Sequence, residues 1–112
     1  MESILISIKK LLGIDKDYAH FDVDIIMHIN TVFMTLHQIG IGPEEGFSIS
    51  GEHETWSNFL GEFTNLEAVK TYVHLKVRML FDPPSSPSVI EAIKRQTDEL
   101  EWRLQLQREF LE

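Results

Sequence analysis

The chain has 112 residues, 43% of them hydrophobic, and a formal net charge of −8. That is enough for one small domain with a single core. No apolar run approaches the ~18–20 residues needed to span a bilayer, and the absence of cysteine rules out disulfides, thiolate nucleophiles and cysteine-based metal sites.

The charge is segregated along the chain. Residues 1–16 hold Lys9, Lys10 and Lys16 against Glu2 and Asp15. From Asp17 to Val69 there are nine acids and no Lys or Arg, and from Lys70 onward seven bases balance seven acids. Tight binding to a phosphate backbone draws on Lys and Arg displacing counterions, so this pattern argues against a DNA-binding regulator.

The opening MESILISIKKLLG lacks the order of a targeting segment, because its lysines lie inside the apolar stretch. It reads as a first helix over 2–12, with Ile4, Ile8, Leu11 and Leu12 on one face and Leu5 beside them. Lys9 and Lys10 fall in its last turn, favourable to the helix dipole, and Gly13 ends it. After the acidic loop DKDYAHFD, Asp22 is placed to cap a second helix running to Ile39. Its apolar residues (Val23, Ile25, Ile26, Met27, Ile29, Val32, Phe33, Met34, Leu36 and Ile39) cover most of its circumference, which predicts a central helix packed on more than one side.

Residues 46–55, GFSISGEHET, alternate Phe47 and Ile49 with Ser48 and Ser50, predicting a short β-hairpin or an extended loop. Thr55 can cap a short helix that places Trp56, Phe59 and Leu60 on one face. Thr64-x-x-Glu67 is a capping box opening a helix over 65–81. Its apolar stripe is Leu66, Val69, Val73, Val77 and Leu80, widened by Tyr72, Leu75 and Met79. Lys70, His74 and Arg78 recur every four residues on its far side, as a solvated face or as a contact for an acidic neighbour.

The segment LFDPPSSPSVIEA (80–92) interrupts the helical pattern. Asp82 precedes a proline and is driven towards extended geometry, and Pro83–Pro84 favours a stiff step. Ser85 or Ser86 can cap the next helix, with Pro87 in its first turn where the missing N–H costs nothing. Asp82, Pro83, Pro84, Ser86 and Pro87 thus predict an elbow that aims a last helix over 87–111. Ile90, Ile93, Leu100 and Leu104 give that helix one stripe, with Thr97 and Gln107 as weak points. Opposite charges at i,i+4, such as Glu91–Arg95 and Glu99–Arg103, suit a helix partly in solvent. Trp102, Leu106 and Phe110 form a second apolar stripe, more than one small domain has room to bury, and an intermolecular contact is expected there.

Candidate chemistry is sparse. An EF-hand beginning at Asp15 would need Gly and Glu where His20 and Ile26 stand. His20, Asp22 and Asp24 are better explained by capping and solvation than by a metal. The five histidines have no ligand spacing, and His28 and His37 read as core-edge or interface residues. No nucleophile elbow, P-loop or dinucleotide fingerprint is present.

The chain resembles the small head–tail connector (adaptor) proteins of long-tailed bacteriophages and of prophages in Gram-positive bacteria. The resemblance is carried by GIGPEEGFSI (40–49), ETWSNFLG (54–61) and above all EAVKTYVHLKVRMLFDPPSSPSVIEAIKRQTDELEWRL (67–104). It implies a mostly helical protein without enzymatic activity or cofactor that assembles as a ring beneath the portal to join the DNA-filled head to the tail, with a monomeric form in isolation. Its partners would be its own copies, the portal protein, and the next connector, head-closure or tail protein, with DNA passing through unbound and no membrane involved. Its place would be the head–tail junction of a virion assembled in the bacterial cytoplasm. From the residues, the expected fold is one all-α domain over 1–112: a helical core (1–82), the elbow (82–87) and the C-terminal helix (87–111), four to five helices in all. The rival readings are a non-viral intracellular helical adaptor or regulatory module, and, further off, a small enzyme gathering His28, His37 or His74 with distant carboxylates.

Overall fold

The computed structural model of the chain describes residues 2–62 and 65–110, the last by its backbone alone. It contains five helices: α1 (Ile4–Leu11), α2 (Asp22–Gln38), α3 (Trp56–Leu60), α4 (Leu66–Phe81) and α5 (Pro87–Phe110). α4 packs chiefly on α2 and α5, and also on α1. The result is a slab of about 40 × 35 × 19 Å.

α1 starts at Ser3, whose hydroxyl accepts the Ile6 N–H. Ile4, Leu5 and Ile8 are buried, and so is Lys9, only 1% exposed, while Lys10 faces solvent. A buried ammonium must be fully partnered. The Lys9 Nζ donates to the carbonyls of Lys16 (3.1 Å) and Tyr18 (2.8 Å) and pairs with Asp22 Oδ1 at 2.8 Å. Asp22 is therefore not the cap of α2. It is the first helical residue, Phe21 precedes it with no side-chain cap bond, and its carboxylate is drawn to Lys9.

α2 differs from expectation in its packing. It buries Ile25, Ile29, Val32, Phe33 and Leu36 on one face, whereas Val23, Met27 and Met34 lie on the opposite face and are exposed. The central position belongs to α4, because α1, α2 and α5 all pack on it.

The hairpin expected at 46–55 is not formed. Among the described residues no strand occurs, and the segment contributes only an isolated antiparallel bridge between Ser3 and Thr55. The alternation was an accurate guide to burial at Ile49, but the backbone groups find other partners. Asn30 brackets Ile49 with its side-chain amide, accepting its N–H (2.8 Å) and donating to its C=O (3.0 Å). Glu54 accepts the Ser50 N–H and hydroxyl, and its own C=O accepts the Ile4 N–H. Thr55 caps α3 as expected, in a reciprocal box with Asn58. Trp56, buried with Phe59 and Leu60, donates its indole N–H to Ser7 at 2.8 Å and so pins α3 to α1.

The expected Thr64 cap lies outside the described residues. α4 buries Val69, Tyr72, Val73 and Val77, but Leu80 is half exposed. Phe81 takes the inward position instead, edge-on to Phe21 at 5.3 Å. α5 then runs back along α4. Its expected stripe is buried at Ile93 and Leu104, partly buried at Ile90 and Leu100, and includes Thr97, whose hydroxyl donates to the Lys94 carbonyl. The Tyr72 hydroxyl donates to Glu101 Oε2 at 2.8 Å, with Lys76 on the same oxygen at 3.6 Å, tying α5 to α4. At the far end Gly40 has φ +91°, and a Cβ there would collide with the Arg108 side chain. The last turn of α5 is thereby docked on the end of α2.

Replacing Lys9 with Met should destabilise the fold by about 3 kcal/mol, because Asp22 and two carbonyls lose their buried cation. Urea titration followed by circular dichroism measures this, with Lys10→Met as the near-neutral comparison.

Candidate assembly surfaces

Three surfaces follow from the sequence: the Lys70–His74–Arg78 face, the Trp102–Leu106–Phe110 stripe, and the elbow. On α4 the periodicity aligns the first three, yet α1 and the chain before it lie alongside that face. Lys70 Nζ pairs with Glu2 at 2.8 Å and is largely covered. His74 is hydrogen-bonded to the backbone of Leu11, and its Nε2 is buried without a hydrogen-bond partner. Arg78 is partly buried. The face is thus a partly covered seam rather than an open basic strip, with an acid from the chain's own N-terminal region on Lys70.

The α5 stripe is different. Trp102 is 61% exposed and Leu106 37% exposed. Asn65, Ala68, Leu100, Trp102, Arg103 and Leu106 contribute to an open groove of about 340 Å³ between the start of α4 and α5. Arg103 beside them is held by Glu99 through a 2.9 Å ion pair, the predicted i,i+4 spacing. A large aromatic left on the outer face of a helix is a common mark of an interaction surface. The side chain of Phe110 lies outside the described residues.

At the elbow α4 ends at Phe81 and α5 begins at Pro87. Asp82 leaves the helix at φ −146°, its N–H still bonded to the Arg78 carbonyl. Pro83 is exposed, Pro84 partly buried, and Pro87 is the first residue of α5. The Ser86 carbonyl accepts the Ile90 N–H, the first bond of the new helix, while its hydroxyl pairs with Ser88. Phe81, just before the break, is anchored by Phe21 and lies 6.4 Å from the His28 ring.

Sequence reasoning missed two surfaces. The outer stripe of α2 was assigned to the interior, since periodicity reports that a residue is apolar and not whether anything covers it. The second is an open groove of about 420 Å³ lined by Leu12, Ile14, Phe21, Phe81 and Asp82. It gathers residues from three separate stretches, so no local pattern marks it.

The acidic loop has its own cation in Lys9, and among the described residues no group of three or more His, Asp or Glu is arranged to hold a metal. His28 packs near Phe81, and His37 Nε2 lies 2.8 Å from the Glu44 carbonyl in an exposed position. His28, His37 and His74 each have separate surroundings, which offers no support to the small-enzyme reading. No described helix is long and apolar enough to cross a membrane.

Burial, and then the positive charge of Arg78, hold the His74 imidazole below its ordinary value of 6.5, against the opposing hydrogen bond to Leu11. The unfolded chain therefore takes up this proton first as the pH falls. The stability contributed by neutral His74 is complete above pH 6.5 and declines as the pH drops towards the folded value. Glu54 acts at lower pH: burial opposes its charge, but donation from Ser50 and neighbouring N–H groups outweighs this and holds it below 4.5. Melting temperature should fall between pH 7 and pH 5.5, and His74→Gln should flatten that part of the profile.

No curated protein and no solved structure gave a match to the chain. One family model did, that described as "Phage connector protein", and it covers residues 4–110, from the first residue of α1 to the last of α5. The chain belongs to the phage connector protein family, and its role is that of a phage structural connector.

Proposed function

We propose that this chain is a head–tail connector that assembles as a ring beneath the portal and joins the DNA-filled head to the tail, with residues 1–112 acting as one connector domain. The observation that carries this reading, beyond family membership, is the Trp102–Leu106 ridge exposed on the outer face of α5. A ring needs two different complementary patches on every copy, a heterologous contact that closes on itself. An exposed aromatic ridge on a helix of set direction is suitable material for one of them. The elbow serves this by fixing the exit of α5 where a Gly/Ser linker would let it wander. Lys70, His74 and Arg78 contribute chiefly by seating α1 on α4, and Arg78 also meets an acid of a neighbouring copy. A stretch from 17 to 69 without a single Lys or Arg suits a protein past which DNA must slide without being gripped. The chain has no catalytic role in this scheme, and it works as part of the virion.

Electron microscopy of the chain mixed with its portal protein should show rings or portal-bound copies. A chain that stays monomeric and ignores the portal under all conditions would overturn the reading. The interface has its own test. Trp102→Ala with Phe110→Ala should weaken assembly, read by sedimentation velocity, by at least tenfold while lowering the melting temperature by only a few degrees. A loss of stability as large as the loss of assembly would show these aromatics to be core residues.

A further inference from the structure

The groove lined by Leu12, Ile14, Phe21, Phe81 and Asp82 lies where the end of α1, the start of α2 and the end of α4 meet. Its four apolar residues are all partly exposed, and half-exposed apolar surface is added by Leu11 (46%), next to Leu12 in the chain, and Tyr18 (50%), whose ring lies 5.9 Å from that of Phe21. The edge-on contact of Phe21 with Phe81 leaves ring surface in the groove for another aromatic or aliphatic group.

The opposite end of the molecule carries a segment of matching chemistry. α5 begins just past this groove and, over 24 residues, travels about 36 Å away from it. Its last turn sits against Gly40, beyond the other end of α2. There the sequence reads Glu109-Phe110-Leu111-Glu112, two apolar residues between two acids. Those few residues cannot return a helix length to their own groove, since extended chain covers at most about 3.5 Å per residue. The groove of a second copy has no such constraint.

Charge favours the same pairing. Around the groove, Lys9, Lys10, Lys16 and Arg78 balance Asp15, Asp17, Asp22 and Asp82, and Lys10 and Lys16 are exposed. From Asp24 through Glu67 the chain holds acids alone. An acidic apolar segment is repelled by that block but not by the groove end.

We propose that residues 109–112 of one copy seat Phe110 and Leu111 in the Leu12–Ile14–Phe21–Phe81 groove of the next copy, with Glu109 and Glu112 facing Lys10 and Lys16. This rests on the ring reading above and specifies one of its contacts. Segment and groove are different surfaces, so the contact is head-to-tail, the kind that closes into a ring when its rotation permits. A plug of two side chains is far below the roughly 1,000 Å² of a stable interface. It therefore adds to the Trp102–Leu106 contact and does not replace it.

The natural chain has no cysteine, which permits a clean cross-linking test without portal. Chains carrying Asp82→Cys are mixed with chains carrying Leu111→Cys under mild oxidation. The mixed disulfide dimer should exceed, several-fold, that formed between Leu111→Cys and Glu52→Cys, an exposed position outside the groove. Lys10→Glu with Lys16→Glu in the groove chain should return the yield to that background, and Glu109→Lys with Glu112→Lys in the other chain should restore it. A yield equal to the Glu52→Cys control, or one indifferent to charge reversal, would overturn the contact. So would portal-bound rings of full order from a chain with Phe110→Asp and Leu111→Asp, a result that leaves the connector reading standing. Failure of the unaltered chain to bind portal would instead remove the connector reading, while the cross-link still decides the contact.

Discussion

Everything in this molecule is arranged around the burial of α4. Val69, Tyr72, Val73 and Val77 form a continuous buried band, and α1, α2 and α5 each cover part of it. A 16-residue helix enclosed in this way calls for partners for the polar groups on its covered sides, and His74 Nε2 goes without one. The Tyr72 hydroxyl is answered by Glu101 of α5 at 2.8 Å, which turns a core requirement into a register pin for the longest helix. Burial, and then the neighbouring carboxylate, raise the phenol well above its usual range, so it stays a donor at any physiological pH.

The second organising contact is the Lys9 ammonium. It collects two carbonyls of the connecting loop and the carboxylate that begins α2, doing in a small space what a bound cation does in other loops. Because its partners lie on the segment between α1 and α2, it sets where α2 starts relative to α1. The groove at that end takes Leu12 and Ile14 from before this loop and Phe21 from its close, with Phe81 from α4.

The external surface follows from what α4 leaves uncovered. α2 and α5 each spend one face on the core, and each has apolar residues on the other: Val23, Met27 and Met34 on α2, Trp102 and Leu106 on α5. An isolated chain gains nothing from those residues, whereas a structural connector that meets other phage proteins does. That is the physical sense of membership in a phage connector family.

Much of this was legible in the residues themselves. Helix positions, the Thr55 cap and the burial of Ile93 and Leu104 follow from local rules: period and capping chemistry. The failures share a cause as well. Local rules make Asp22 a cap because Lys9 lies thirteen positions earlier, and they allow a hairpin as well as an extended loop at 46–55 because Asn30, which satisfies Ile49 from α2, is invisible to alternation. Likewise the apolar circumference of α2 says that both faces are apolar, but not whether a neighbour covers each of them. The sequence by itself determined which segments are helical and where the chain turns, because those depend on interactions within a few residues. Only the tertiary structure decided which helix is central, which charges are buried and which apolar faces remain open, because those depend on partners far away along the chain.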